Sequence, residues 1–260
     1  MTKYAAVFKG IAYRLVIIHI KTKVMKNFIY VFVAFIFLNS CSNNDPRIID
    51  DTYNPDMSLT KFSNPTNITN PYFLFELGKT YVYEGKTDEG IETFEHIISS
   101  QTKTVLGINC VVLDVKEWVN GKLVEHTYDW FAQDNEGNVW YMGEYVDNYD
   151  NNGKIVNHSG SWEAGIDGAK AGITMFAKPV KGLKYRLEYY FNEAEDEAEI
   201  IATDVTVTVP LGTFKNCLQT RDFTALEPDA QEYKYYAPGI GLIKEYNIED
   251  KTEASLKEIR

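Results

Sequence analysis

Only three cysteines and four histidines occur in 260 residues. His19, His96, His126 and His158 are scattered, with no spacing that would hold a metal. The chain has no Gly-x-Ser-x-Gly elbow, no His-Glu-x-x-His helix and no glycine-rich phosphate loop, so no familiar catalytic constellation is present. No cofactor or metal is expected, and no enzyme. Basic residues are also scarce, 26 against 37 acidic ones. Such a surface repels phosphate backbones and makes nucleic acid a poor partner. Long apolar runs are missing but for one, Phe28 to Leu38, which is too short for a membrane-spanning helix.

That run carries the most legible signal. Met25-Lys26 leads into the apolar stretch, which ends in Leu38-Asn39-Ser40-Cys41. A charged start, a short apolar middle and a small residue before cysteine resemble a bacterial lipoprotein signal peptide and its lipobox, with Asn39 departing from the usual second residue. The resemblance implies removal of residues 25–40 and acylation (palmitate) at Cys41, the lipid-attachment residue. It also implies a place in the cell envelope, expected to be the outer membrane of a Gram-negative bacterium. Residues 1–24 read as an upstream extension, with the true start expected at Met25. Six of the 26 basic residues and no acidic ones lie in residues 1–40, which leaves 20 basic against 37 acidic residues, a net charge of −17. The membrane partner is therefore expected to be held by acyl chains and not by a basic patch.

Four of the eight prolines fall between Pro46 and Pro71, in a stretch rich in Asn and Asp, so residues 41–71 read as a tether. Beyond them, Tyr81–Tyr83, 105–119, 139–145, 185–191 and 200–209 are rich in β-branched and aromatic residues between Gly, Asn and Asp turns. A mainly β domain over 72–248 follows, with a polar C-terminal tail at 249–260. Thr80-Tyr81 answers Lys184-Tyr185, Cys110 answers Cys217, Asp129-Trp130-Phe131-Ala132 answers Lys234-Tyr235-Tyr236-Ala237, and Glu144-Tyr145 answers Glu245-Tyr246. The near-constant offset predicts an internal repeat, units 80–145 and 184–246, each a meander of antiparallel strands. Tandem meanders of that length must curl, which predicts one strongly curved sheet or half-barrel. The pattern resembles the half-barrel of envelope lipoprotein carriers and receptors, with no site residue carried over. Export would permit a Cys110–Cys217 disulfide, but equivalent positions four strands apart lie roughly 19 Å from each other, which predicts two unpaired thiols.

The Gly-rich central segment, 145–180, holds Trp162, Met175 and Phe176, and is expected to pack in the concavity of the sheet. With Trp140 on the strand before it, these form the candidate ligand-binding set, either a lid over an apolar pocket or a plug that completes the core. Asn148-x-Asp150-x-Asn152-Gly153 partly matches a calcium loop but lacks the closing glutamate, and reads better as a hairpin turn. The acidic run 192–199 reads as a solvated hairpin tip. The expected function is that of a monomeric envelope lipoprotein binding an apolar ligand (a lipid or acyl chain) or an envelope partner. The alternative is a surface glycan-binding accessory or a glycoside-acting enzyme using Glu144 with Glu163, or Glu163 with Asp167.

Overall fold

Two tight turns show how closely this chain follows its sequence. Leu106-Gly107 and Asn120-Gly121 both take positive φ at both residues, 50° and 78°, then 51° and 76°. That geometry matches the natural twist of paired strands, and each turn joins strands with no residue to spare. The Asn120 side chain also ties down the neighbouring hairpin, accepting from Ile91 N and donating to Glu89 O.

The computed structural model describes residues 53–73 and 76–260. Cys41, the signal peptide and residues 1–24 lie outside the described residues. The described chain is all β: β1 (Thr80–Thr87), β2 (Gly90–Val105), β3 (Ile108–Val119), β4 (Lys122–Gln133), β5 (Val139–Tyr149), β6 (Ile155–Asn157), β7 (Trp162–Glu163), β8 (Lys170–Met175), β9 (Lys184–Arg186), β10 (Glu188–Tyr189), β11 (Asp196–Val209), β12 (Gly212–Thr224), β13 (Gln231–Ala237), β14 (Gly241–Asn247) and β15 (Glu253–Ile259). The sheet runs β10-β8-β5-β4-β3-β2-β1-β15-β14-β13-β12-β11-β9, with β6 and β7 also on β5. Every pairing is antiparallel. β2–β5 and β11–β14 are each a run of four consecutive antiparallel strands, as the tandem-meander reading expects.

The curvature goes further than half a barrel. The two ends of the order, β9 and β10, are one short stretch broken at Leu187: Lys184–Arg186 pairs with β11 and Glu188–Tyr189 with β8. Leu187 sits in the gap, its N–H donating to Asp196 O at 2.8 Å. The sheet is thus nearly closed on itself, with a seam at Leu187. Gly172 of β8 makes this closure possible, because a Cβ there would stand 2.2 Å from Leu187 O. Only a residue without a side chain admits so close an approach of backbone.

Three sequence expectations change here. The stretch 249–260 is no polar tail: β15 fills the place between β1 and β14, with Leu256 wholly buried and Ala254 nearly so. Its apolar residues are too few to stand out from its charges. Residues 53–71 are not a free tether either. Tyr53 O–H donates to Ala171 O at 2.7 Å, the Gln133 side chain accepts from Thr69 N and Asn70 N, and Gly239 N donates to Pro71 O. The segment therefore runs from the seam to one end of the barrel and crosses it, from the β4–β5 turn to the β13–β14 turn. Prolines and asparagines suited to solvated backbone serve equally well for a strap held by side-chain hydrogen bonds. Finally, the central segment joins the wall as β6, β7 and β8, so only its side chains enter the interior.

Candidate functional site

A column of aromatic rings descends from the capped end. Phe73 meets Phe131 edge-on at 4.8 Å, Phe131 stacks on Tyr141 at 4.8 Å, and Tyr141 meets Trp162 edge-on at 5.2 Å. Below it the interior turns acidic. Tyr141 O–H donates to Asp129 Oδ1 at 2.7 Å, and Asp129 and Glu144 face each other on adjacent strands. Glu188, wholly buried on β10, joins them from the seam, with Asp196 on the β11 side.

Burial raises all four carboxyls. Asp129 is pushed up to about 7, mostly by burial, with Tyr141's hydrogen bond opposing. Glu144 rises well above the carboxylate range through burial and then the nearness of Glu188 and Asp129. Glu188 rises through burial and then Asp196. Asp196 rises through burial against the pull of Lys234. Removing a carboxylate from water disfavours its charged form, and like charges nearby add to the cost. Asp129 Oδ2, Glu144 Oε1, Asp196 Oδ1 and both oxygens of Glu188 have no hydrogen-bond partner. The Trp162 indole N–H lies toward Glu188 and opposes its shift, yet neither group reaches hydrogen-bond geometry.

Further round the wall, Lys234 is almost fully buried, 3.2 Å from Asp222, 3.7 Å from Glu245 and 3.9 Å from Glu232. Burial alone would lower its pKa, but Asp222, Glu245 and Glu232 outweigh it and the net shift is upward. His96 goes the other way, to about 3, through burial and then Lys234, and so is neutral. At the uncapped end a small cavity of about 10 Å³ opens between Glu92, Glu232, Glu245 and Glu253, with Asn247 and Thr252 beside them. That is room for about one water molecule or a group of its size.

Trp162 and Met175 are buried as expected, Trp162 in the aromatic column and Met175 across from Val139. Phe176 is half-buried, edge-on to Tyr185 at 4.9 Å. Trp140 does not belong with them. Its neighbour Tyr141 points inward, so alternation sends Trp140 outward. There its Nε1 donates to Asp134 at 2.9 Å and Phe62 of the strap covers it edge-on. The carboxylate pair Glu144 and Glu163 is also separated: Trp162, not Glu163, stands across from Glu144. Glu163 turns outward to Lys103 at 3.1 Å, and Lys103 lies over the Trp130 ring. Asp167 sits at positive φ in an exposed turn, and no contact brings it to Glu163. Asp150 spends its carboxylate on its own turn, accepting from Asn152 N and Lys154 N. Among the described residues no group of three or more His, Cys, Asp or Glu is placed to hold a metal ion. Cys110 and Cys217 are free and buried, and burial pushes the Cys110 thiol up to about 12 and the Cys217 thiol above its usual value. The acidic run is only half solvated, since Asn192 and Glu193 are exposed while Glu195 is buried.

No family model matches the chain, and no curated protein does. Two solved structures share parts of its course. One, from Bacteroides fragilis NCTC 9343, is described as an exported protein with a YmcC-like fold. It is 17% identical, with 73% of this chain and 98% of that one covered, at a TM-score of 0.37. The other, from Parabacteroides distasonis ATCC 8503, is described as a lipoprotein. It is 14% identical, with 74% and 99% covered, at a TM-score of 0.38. Likenesses of this strength assign no function.

Of the interior carboxyls the sequence singled out only Glu144, paired there with Glu163, and it left Asp196 in a run read as a solvated tip. In β4, Thr127-Asp129-Phe131 faces inward and Tyr128-Trp130-Ala132 faces outward, so the more apolar face is the outer one. A search for the greasier face inverts the strand. The available signal was Asp129 flanked by aromatic residues on both sides in a strand of full length.

Proposed function

We propose that this chain is a lipid-anchored protein of the bacterial cell envelope that acts by binding and not by catalysis. In this reading Cys41 carries the acyl chains, and the uncapped end of the barrel receives a cationic group of ammonium size. The observation that carries the binding half is the cavity walled by Glu92, Glu232, Glu245 and Glu253. Lys244 pairs with Glu253 and Lys234 with Glu232 and Glu245, so four carboxylates and two lysines leave an excess of negative charge around room for one small group, and the charge of the whole chain steers a cation there. Lys234 offsets part of that charge and fixes the orientation of Glu232 and Glu245. The acyl chain expected from the sequence has less support, because the described interior is packed with aromatics at the capped end and lined with carboxyls below.

The test has two arms. Cys41→Ser should abolish palmitate labelling and move the protein to the soluble fraction, because stable anchoring needs more than one chain. Unchanged membrane partition would end the lipoprotein half. Calorimetric titration with a short aliphatic diamine should show saturable binding that weakens on adding salt. Glu253→Gln, at the exposed lip, should reduce that binding about tenfold, the equivalent of about 1.4 kcal/mol. A flat titration of the parent protein would overturn the binding half.

A further inference from the structure

The seam is the weakest line in the wall and the most acidic place behind it. Glu188 and Tyr189 hold β8 only at Ala171 and Lys170, and Lys184 to Arg186 hold β11 only at Glu197 to Glu199. Between these short ladders the backbone crosses at Leu187, with Gly172 closing up against its carbonyl. Outside, the seam is clasped by Tyr53, whose ring lies 6.0 Å from that of Tyr189, and by Lys170 and Arg186 over the Tyr189 ring. Inside, nothing clasps it. Both oxygens of the wholly buried Glu188 are without partners, as are one oxygen each of Asp129, Glu144 and Asp196.

We propose that the seam is a proton-operated latch, shut while Glu188 and the carboxyls it faces, Glu144 and Asp129, are protonated, and released when they ionise. The charged and titratable groups that bear on them line the wall around the seam. Asp129 and Glu125 come from β4, Tyr141 and Glu144 from β5, the Trp162 indole from β7 and Asp196 from β11. Asp222 on β12 and Glu232 on β13 act through Asp196, and the cation in this set is Lys234 on β13. Lys234 is held at close range by Asp222, Glu232 and Glu245, and so is already engaged elsewhere. Neutral acids can lie buried near one another without partners at modest cost. An ionised pair cannot, and repels its neighbours in a medium that screens poorly. Each step is a simple ionisation: a carboxylic O–H loses its proton to water as the seam opens and the carboxylate is hydrated. The latch concerns closure of the wall and does not depend on the cation-binding reading.

Linkage sets the size of the effect. Each proton released on opening raises the opening constant about tenfold per pH unit. The measurement is hydrogen exchange at the Leu187 amide, which donates across the seam to Asp196 O, on the full chain in detergent and corrected for the intrinsic chemical rate. Protection at Leu187 should fall about tenfold or more per unit between about pH 5 and pH 7, below the value of about 7 to which Asp129 is raised. Amides in the β2–β3 ladder, far from the seam, should hold theirs. Glu188→Gln keeps the shape and removes a titrating group, so its slope should be shallower by about one proton. Protection that is independent of pH in the parent protein, or an undiminished slope in Glu188→Gln, would overturn the latch. Should Glu188→Gln fail to fold, infrared spectroscopy of the parent protein decides: a protonated-carboxyl stretch present at neutral pH and lost as the pH rises supports the latch, and its absence at neutral pH overturns it.

Discussion

Gly172 illustrates how much can rest on one absent side chain. Its neighbours Ala171 and Ile173 carry ordinary strand side chains, yet at 172 a methyl group would stand 2.2 Å from Leu187 O and 2.6 Å from Arg186 O. The obstacle is backbone and cannot swing aside. Gly172→Ala should therefore cost on the order of 1–3 kcal/mol, the usual range for forcing a group into filled space. Urea denaturation would read it as a lower midpoint with unchanged slope. Gly85→Ala offers a contrast within the same wall, since there the added carbon would meet Glu253 O at 2.7 Å on the β1–β15 seam instead. Trp162 and Met175 were legible in sequence as side chains too large and apolar to leave in water, and both are buried. Gly172 was not, because a glycine within a run of glycines gives no sign of which one a neighbouring strand will crowd. Nor was the buried role of Asp129, which the sequence offered only as a repeat landmark, and Glu144 was matched with Glu163 where tertiary closure gave it Asp129.

At the scale of elements, the strands richest in β-branched and aromatic residues were the readable ones. β3, β5 and β11 fall close to their expected spans. β15 was missed because its inward residues, Ala254 and Leu256, are separated by Ser255 and followed by charge, so local composition resembles a loop. Its place is determined by partners on both sides, β1 and β14, far away in the chain. Removing residues 253–260 should expose two strand edges and the cavity left by Leu256. The truncated chain should then fail to give a cooperative thermal transition and should associate, as unpaired edges do. A clean two-state melt of the truncated chain would show that β15 is dispensable. The strap from Tyr53 was misread for the opposite reason: its local signals are those of solvated chain, and the side-chain and backbone bonds that hold it come from distant turns at Gln133, Asn135 and Gly239. Between Cys41 and Tyr53 eleven residues intervene, a reach of about 40 Å if extended.

For the whole molecule, the buried acids reverse the usual relation between pH and stability. Carboxyls whose pKa is higher folded than unfolded bind more protons in the folded state, so their contribution is full at low pH and lost as pH rises through the folded value. For Asp129, raised to about 7, that loss runs from the ordinary carboxylate range up to neutral pH, and Glu144, Glu188 and Asp196, all raised well above that range, carry the same sign. His96 has the opposite sign. Lowered to about 3, it binds fewer protons folded than unfolded, and it weakens the fold only as pH drops below about 6.5. The clean window therefore opens at about pH 6.5 and reaches neutral pH, where the carboxyls act without His96 and stability should rise on acidification. Urea midpoints at several pH values would check it, and a midpoint that climbs with pH through this window would contradict the buried cluster. Asp129→Asn should flatten the dependence.

The pairing of β1 with β15 also sets a timetable. Thr80 N donates to Arg260 O at 2.7 Å and Arg260 N to Thr80 O at 3.0 Å, so the first strand of the wall is completed by β15, far along the chain. A chain delivered from its N-terminus, by a ribosome or through an export channel, can zip β2 to β5 early but must leave β1 with a bare edge until β15 has arrived. Contacts of such long sequence separation form slowly, and half-built sheets are prone to aggregate. Closure of the wall is therefore an all-or-nothing event that waits for β15, and a chain stalled or clipped before it is a hazard in place of a smaller working barrel.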